Sequence, residues 1–176
     1  MSTNATYVKY GYGQVEPNHL SAQRTSQIYA QLPADKAIEM LENGQFVKYD
    51  YATNTVNFTG AGEWMLVYNE VKVYKERETD ADFAMIKTNY GGRVYNALGE
   101  EMPEGTVMVP RVFKTNIGDI FTTNCVKETE LAVEDVLYVG NDGYLAKAEN
   151  GDMKWQVVKV YTLGDGQPAV KLMRIA

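Results

Sequence analysis

The sequence predicts a mainly β protein: an antiparallel β-sandwich or barrel with one short helix and an extended N-terminal arm. Three observations lead to this prediction. From Gln45 onward, the 176-residue chain is a series of short runs rich in Val, Tyr, Phe, Ile and Thr, which favour strands. Turn signals such as Asn141-Asp142-Gly143 and Gly164-Asp165-Gly166 separate most of the runs. The chain also has 13 tyrosines, which suit strands with one half-wet face. Many short strands at this spacing are typical of a sandwich or barrel.

The polar N-terminal segment, residues 1–32, differs from the rest of the chain. It is rich in Gln, Ser, Asn and Thr, and its larger apolar residues follow neither a helical nor a strand period. Such a segment cannot bury enough surface to fold by itself, so it is either a disordered tail or an arm that orders against something else. We therefore divide the chain into this arm and a β-rich body, residues 33–176. Two sub-lobes within the body, about 45–90 and 105–176, are an open alternative.

One helix is predicted over 33–43. Pro33 suits a first helical turn, and Ala34, Ile38 and Leu41 form a single apolar stripe. The pair Asn43-Gly44 is typical of a helix end. A helix this short is not stable alone, so we expect it to pack on the sheet. A second, shorter helical turn is expected within residues 128–135.

Two of the predicted strands contain the same tetrapeptide, VKVY, at residues 71–74 and 158–161. The flanking sequences do not align, so we interpret the repeat as two similar strands rather than a duplicated unit. Side chains alternate along a strand, which gives one packed face and one half-wet face. The valines should therefore face the core, and the lysines and tyrosines should face outward. The expected core residues are Val71, Val73, Val158 and Val160, and the expected outer residues are Lys72, Tyr74, Lys159 and Tyr161.

Charge and cysteine usage exclude several classes of protein. The net charge is −6 and no basic stripe is present, so nucleic acid is not an expected partner. A single cysteine forms no internal disulfide. The chain begins without a basic segment followed by an apolar run, and no stretch approaches the roughly 20 apolar residues that cross a bilayer. We expect synthesis in a cytoplasm, without a secretory signal or a membrane partner.

The residues that carry enzymatic chemistry are sparse. The only histidine, His19, and the only cysteine, Cys125, are far apart in sequence, and together they cannot supply a zinc site. Carboxylates cluster at 76–82 and at 141–152, but neither cluster matches a calcium-binding EF-hand, and solvated turns account for both. No phosphate-binding loop or dinucleotide fingerprint is present. We therefore expect no enzymatic activity, no cofactor and no bound metal.

Two long stretches resemble a known class of protein. They are LENGQFVKYDYATNTVNFTGAGEWMLVYNEVKVYKERET (41–79) and LYVGNDGYLAKAENGDMKWQVVKVYTLGDGQPAVKLMRI (137–175). The resemblance rests on ENG-x-FVKYD, GEWMLVYNE and DGQPAVKL. The chain resembles the small structural proteins that tailed bacteriophages encode beside their major capsid protein, namely head decoration, cement or head-fibre proteins. The resemblance implies a β-rich body on a capsid surface, often a multimer, attached through a terminal arm or small domain.

The resulting hypothesis is a non-enzymatic virion protein that binds the outer surface of a phage capsid and stabilises or decorates it. Its expected partners are the major capsid protein and further copies of the chain, with a trimer among the candidate states. The candidate interface residues are Tyr7, Tyr10, Tyr12 and Ile28, all in the arm. Deleting residues 1–30 is expected to leave a folded body that no longer binds capsids. The alternatives are a head-fibre or tail-associated module that binds host glycans, and another virion part such as a tail-tube or connector protein.

Overall fold

The computed structural model confirms the predicted fold class. It describes residues 5–6, 9, 11–69, 84–86, 107–148 and 150–176. These residues form a mainly antiparallel β fold with one short helix, and the described strands do not close into a barrel, which agrees with a sandwich. In chain order, the elements are β1 (Ala5–Thr6), β2 (Val15–His19), α1 (Ala22–Thr25), β3 (Ile28–Tyr29), β4 (Met40–Glu42), β5 (Phe46–Asp50), β6 (Thr55–Asn57), β7 (Trp64–Val67), β8 (Ala84–Ile86), β9 (Val112–Phe113), β10 (Ile120–Thr123), β11 (Glu130–Leu131), β12 (Val136–Val139), β13 (Leu145–Ala146), β14 (Lys154–Thr162) and β15 (Pro168–Arg174).

The larger sheet has six strands in the order β13-β12-β14-β15-β10-β2, and every neighbouring pair is antiparallel. Its inner face packs against the smaller sheet and forms the first hydrophobic core. Trp155 lies fully buried in this core, with its ring centroid 4.9 Å from that of Phe121 and 5.6 Å from that of Phe46. Edge-on aromatic contacts of this kind add to the stabilisation from burial alone.

The smaller sheet, in the order β3-β9-β7-β5-β6, contributes apolar side chains to two cores, one on each face. Along β7, Leu66 faces the first core, whereas Met65 and Val67 face a second core on the opposite side. A strand buried on both faces has no outward position that needs a polar residue, which accounts for the unbroken apolar run of β7. The molecule is therefore built in layers, with the smaller sheet in the middle. The second core comprises Ala34, Ile38, Leu41, Val47, Tyr49, Val56, Met65, Val67, Met108 and Val112.

The helix predicted over 33–43 is not formed, and this prediction is wrong. The segment instead contains a β-bridge at Ala34, a turn in which the Ile38 N–H donates to the Asp35 carbonyl at 3.0 Å, and a short strand. The Ala34 N–H donates to the Met108 carbonyl at 2.7 Å, and the Val56 N–H donates to the Pro33 carbonyl at 2.8 Å. Its last residues form β4, which pairs with β8. The apolar stripe is buried in the second core as expected, but neighbouring chain segments satisfy the backbone. A helix this short has little stability of its own to compete with such partners.

The polar N-terminal segment is part of the body from residue 11 onward. β2 pairs with β10 at one edge of the larger sheet, and β3 pairs with β9 at one edge of the smaller sheet. Leu20 and Ala22, on either side of the start of α1, are buried in the first core. The Ser21 N–H and hydroxyl donate to the two carboxylate oxygens of Asp119 at 3.0 and 2.9 Å, which fixes α1. The segment folds against strands far along the chain, although it could not fold alone.

A β-bulge in β14 changes the expected orientation of the second VKVY copy. Val157 lies opposite Leu172, but Lys159 lies opposite Lys171, so Val158 is an extra residue. Val160 packs against the first core as predicted, and Lys159 is exposed as predicted. Val158 is only half-buried, and the prediction that it faces the core is wrong because the bulge reverses the alternation at this point.

Several turn predictions are confirmed, and one helical prediction fails. The turns at 141–143 and 164–166 join β12 to β13 and β14 to β15, with Gly143 and Gly166 at positive φ. Residues 128–135 contain β11 rather than a helical turn, because β11 pairs with β1 and buries Leu131. β9 pairs with β7, so strands from the two proposed sub-lobes lie in one sheet. The first VKVY copy and the connection at 90–105 lie outside the described residues.

Candidate functional site

The largest concentration of chemically active side chains surrounds Glu42, which is fully buried at the end of β4. Its Oε1 atom accepts hydrogen bonds from Lys9 Nζ and from the Tyr144 hydroxyl, each at 2.5 Å. Its Oε2 atom accepts one from the Gly13 N–H at 2.5 Å. A carboxylate removed from water needs this kind of compensation, because an unpaired buried charge costs several kcal/mol. Both oxygens of Glu42 are therefore occupied by groups of the protein.

Four separate parts of the chain meet at this carboxylate. Lys9 and Gly13 precede β2, Tyr144 precedes β13, and Cys125 follows β10. The backbone at Gly13 approaches so closely that a Cβ atom there would lie 2.2 Å from the Asn43 carbonyl oxygen and 2.8 Å from Cys125 Sγ. Only glycine fits this contact without displacing its neighbours. We call Lys9, Gly13, Glu42, Cys125 and Tyr144 the Glu42 cluster.

The surroundings suppress the reactivity of the acidic groups beside Glu42. Cys125 is fully buried, and this burial, followed by the negative charge of Glu42, raises the pKa of its thiol well above the ordinary value of 9.0. Burial and the hydrogen bond to Glu42 likewise raise the pKa of Tyr144. A thiol nucleophile needs a lowered pKa and access to a substrate, and Cys125 has neither. The cluster is built to hold protons in place rather than to transfer them.

Further hydrogen bonds fix the turn that contains Glu42. The Glu42 N–H donates to Gln45 Oε1 at 3.2 Å, and Gln45 Nε2 donates to the Asp142 carbonyl at 2.8 Å. The Asp142 carboxylate pairs with Lys127 at 2.5 Å, although both side chains are about half exposed. The cluster thus connects the N-terminal segment, the turn after β4 and the β12–β13 turn through buried and part-buried hydrogen bonds.

His19 and Cys125 do not form a catalytic dyad. His19 is exposed and lies opposite Ile120, at the start of β10, whereas Cys125 is buried two residues beyond the end of that strand. A strand rises about 3.3 Å per residue, so the two side chains lie at opposite ends of β10. Within the described parts of the chain, no three His, Cys, Asp or Glu side chains group closely enough to hold a metal ion.

The four interface residues proposed from the sequence have different positions. Tyr7 and Tyr10 lie outside the described residues. Tyr12 is half-buried, and its carbonyl accepts a hydrogen bond from Asn124 Nδ2 at 3.4 Å. Ile28 lies in β3 and packs against the first core. Tyr12 precedes a strand of the larger sheet, and Ile28 belongs to the smaller sheet. Their role as interface residues stays a prediction.

Sequence reasoning missed the Glu42 cluster, because its members are separated by up to 135 positions from Lys9 to Tyr144 and follow no motif. The predicted helix over 33–43 places Glu42 near its end, where a solvated glutamate is ordinary. The two glycines that pack against Cys125, at 13 and 44, were the available signal. A single glycine is a weak signal, because turns, bulges and helix ends all use this residue.

Comparisons with known proteins give no assignment. Neither the protein-family models, nor the curated proteins, nor the solved structures contain a match to this chain. In the described part of the chain the longest helix is α1, whose four residues fall far short of a bilayer's thickness.

Proposed function

We propose that this chain is a non-enzymatic virion structural protein that binds the outer surface of a phage capsid and stabilises or decorates it. The partner is the major capsid protein, contacted by several copies of the chain, and a trimer is one candidate state. The place of action is the capsid surface, after synthesis in the host cytoplasm. The proposal starts from the resemblance of 41–79 and 137–175 to phage head proteins.

The observation that supports it best is the Glu42 cluster. An acid, a thiol, a phenol and an amine meet in one place, and the hydrogen bonds of the acid cross-link separate parts of the chain. These hydrogen bonds hold the segment before β2 against the body, so that the surface available to a partner has a fixed geometry. A part that repeats on a lattice gains from such stiffness, because many weak contacts must form at once and avidity is lost when the geometry varies.

The positions of β2 and β3 bear on which surface of the chain would contact the capsid. Residues 1–32 were expected to form the attachment arm, but two strands of this segment, β2 and β3, are edge strands of the two sheets. Pro17 lies within β2, and a proline on an edge strand discourages further strand addition. The proposal therefore assigns attachment to the faces of the body rather than to strand addition by β2.

Co-sedimentation tests the proposal directly. The purified full-length chain is mixed with capsids that lack it, from the phage that encodes it, and centrifuged with a chain-only control. We expect saturable binding and capsids that resist heat better when the chain is bound. A chain that stays in the supernatant at every concentration would overturn the proposal. Rings or tubes of the pure protein in electron micrographs would instead indicate a tail-tube protein.

Exposed aromatic side chains near Trp64, or in the 90–105 connection, which lies outside the described residues, would support the glycan-binding alternative. The Trp64 side chain is half-buried against the first core, and Lys48 Nζ lies 4.6 Å from its ring centroid. A ring covered in this way is a poor platform for a sugar. Binding to a glycan array by the full-length chain, and not by a Trp64→Ala variant, would favour the alternative.

A further inference from the structure

The outer face of the larger sheet carries a group of cationic and aromatic side chains. Trp155, Val157, Val170 and Leu172 point into the first core, so the alternating residues of β14 and β15 point outward. We define the lysine–tyrosine face as the outward residues of β12, β14 and β15 that carry a charge or an aromatic ring: Tyr138, Lys154, Lys159, Tyr161 and Lys171.

The lysines of this face lie on the tyrosines. The Nζ atoms of Lys159 and Lys171 are 5.7 and 5.4 Å from the ring centroid of Tyr161. Lys154 lies 5.9 Å from the ring of Tyr138, its direct neighbour across the β12–β14 pair. Cation–π contacts hold an ammonium group in place and leave its other side free for an anion.

The bulge in β14 makes the face cationic. Without the extra residue Val158, the alternation set by Trp155 and Val157 would point Lys159 into the core. The bulge turns it outward, directly opposite Lys171. Like charges that face each other across a strand pair are destabilising. Bulges often serve to re-aim a side chain for a functional purpose.

These lysines also differ from others in the described structure. Lys9, Lys114, Lys127 and Lys147 each pair with a carboxylate. No such ion pair joins the three lysines of the face to a described carboxylate, although the chain has 23 acidic residues. Three lysines on one sheet face, none of them in an ion pair with a described carboxylate, form a local positive patch on a chain of net charge −6.

We infer that the lysine–tyrosine face is the docking surface for an acidic surface of another protein. A symmetric contact between two copies would set lysine against lysine. A phosphate backbone is usually bound by a long basic stripe of clustered Lys and Arg, whereas this face carries three lysines and, two strands from Lys171, Glu16. Tyrosine is enriched in protein interfaces, where it adds contact area to charge complementarity. The inference names the surface that the proposed capsid contact would use, and it rests on that proposal only for the partner's identity.

The test uses fluorescent poly-L-glutamate as the acidic polypeptide, with binding to the full-length chain followed by anisotropy at low and moderate salt. The triple variant Lys154→Gln, Lys159→Gln, Lys171→Gln should bind about tenfold more weakly or worse, because it loses three ionic contacts. Added salt should weaken binding of the native chain, since screening reduces such contacts. Lys159→Gln alone, at the most exposed of the three positions, should lower affinity about threefold.

The matched control is Lys36→Gln, Lys114→Gln, Lys147→Gln, which changes the net charge equally at positions outside the face. It should keep its affinity within about threefold. Equal losses in the two triple variants would overturn the inference, because binding would then depend on total charge. Tighter binding to a short DNA duplex or to phosphatidylglycerol vesicles would overturn it in favour of nucleic acid or membrane. Salt-sensitive self-association lost in the first triple variant would also overturn it, by assigning the face to a second copy.

The inference and the proposed function fail separately. If the native chain binds poly-L-glutamate through the face but does not sediment with capsids, the docking surface stands and the capsid proposal falls. If the chain sediments with capsids and the lysine-face triple variant does so equally well, the capsid proposal stands and this surface assignment falls.

Discussion

At the scale of single residues, Glu42 has the largest expected effect on stability. Replacing it with Gln keeps its shape but removes the charge that holds Lys9, and it forces an amide to meet donors arranged for a carboxylate. We expect Glu42→Gln to lower the free energy of unfolding by about 2–4 kcal/mol, as for other broken buried ion pairs. Urea denaturation measures the change.

The control for this substitution is Glu39→Gln, on an exposed residue just before β4. It should change the free energy of unfolding by less than about 0.5 kcal/mol. Equal effects at the two positions would mean that the buried hydrogen bonds of Glu42 contribute nothing beyond those of a surface carboxylate.

The raised pKa of Cys125 predicts a loss of stability at alkaline pH. The native thiol keeps its proton above pH 9.0, the ordinary pKa at which the thiol of the unfolded chain is half ionised. The contribution of the protonated thiol to the free energy of unfolding is therefore fully present below that pH. It falls as the pH rises toward the native pKa, by up to about 1.4 kcal/mol per pH unit. Tyr144, whose pKa is also raised, adds a similar decline above its ordinary value of 10.0.

Urea denaturation between about pH 8 and 11 measures this decline. In Cys125→Ala, the part of the decline that starts near pH 9.0 should disappear, whereas the part that starts near 10.0 should remain. Identical pH profiles for the two proteins would show that the thiol does not titrate differently in the folded and unfolded states.

At this scale, burial was easier to predict from the sequence than contacts were. Ala34, Ile38 and Leu41 are buried as their spacing required, because hydrophobicity is a property of each residue alone. The partners of Glu42 could not be predicted, since Lys9, Gly13 and Tyr144 reach it only through the folding of the whole chain.

At the scale of elements, the β12–β13 turn depends on Gly143. Its φ is +79°, and a Cβ atom there would lie 2.0 Å from the Phe46 carbonyl oxygen. Gly143→Ala combines an unfavourable backbone conformation with a clash against a buried strand, so we expect a loss of about 3 kcal/mol or more. Thermal unfolding followed by circular dichroism measures it.

Gly118→Ala is the matched control for this turn. Gly118 also has a positive φ, +93°, but no neighbouring atom lies within 4 Å of the added Cβ. The control should lose only the backbone preference, about 1 kcal/mol. If both substitutions lowered stability equally, the close approach of Gly143 to β5 would not affect the stability of the fold.

The bulge predicts unequal effects for two adjacent valines. Val157 is fully buried opposite Leu172, whereas Val158 is the half-buried extra residue. Val157→Ala should cost about 2 kcal/mol through the cavity it leaves, and Val158→Ala less than about 1 kcal/mol. Chemical denaturation of the two variants distinguishes them, and the reverse order would contradict the position of the bulge.

Elements with a strong local pattern were predicted correctly from the sequence. β5, β7, β12, β14 and β15 combine β-branched or aromatic residues with turns on both sides. The helix at 33–43 was not formed, because a bridge, a turn and β4 bury the same three apolar residues and satisfy the backbone through neighbouring segments. The bulge had no signal in the sequence, since two valines in a row are compatible with either register.

At the scale of the whole molecule, the N-terminal segment is required for the fold. Deleting residues 1–30 would remove β2, α1 and β3, together with the core residues Val15, Leu20 and Ala22. We expect this loss to exceed the total stability of a domain, about 5–15 kcal/mol, and to abolish cooperative unfolding. This revises the expectation that the truncated chain leaves a folded body.

Circular dichroism and urea denaturation of the truncated chain measure the effect. Deletion of residues 1–4, which precede β1, is the control and should keep a cooperative transition. A sharp transition after deletion of residues 1–30 would show that the remaining strands form a stable sandwich without their N-terminal edges.

The position of β2 and β3 at the sheet edges has a consequence for synthesis. Their partners, β10 and β9, lie far along the chain and leave the ribosome much later. β2 and β3 are therefore synthesised first and have no strand partner until most of the remaining chain has been made. Long-range pairings of this kind slow folding. The polar composition of residues 11–32, which in the sequence alone suggests an independent arm, keeps this waiting segment from aggregating before its partners arrive.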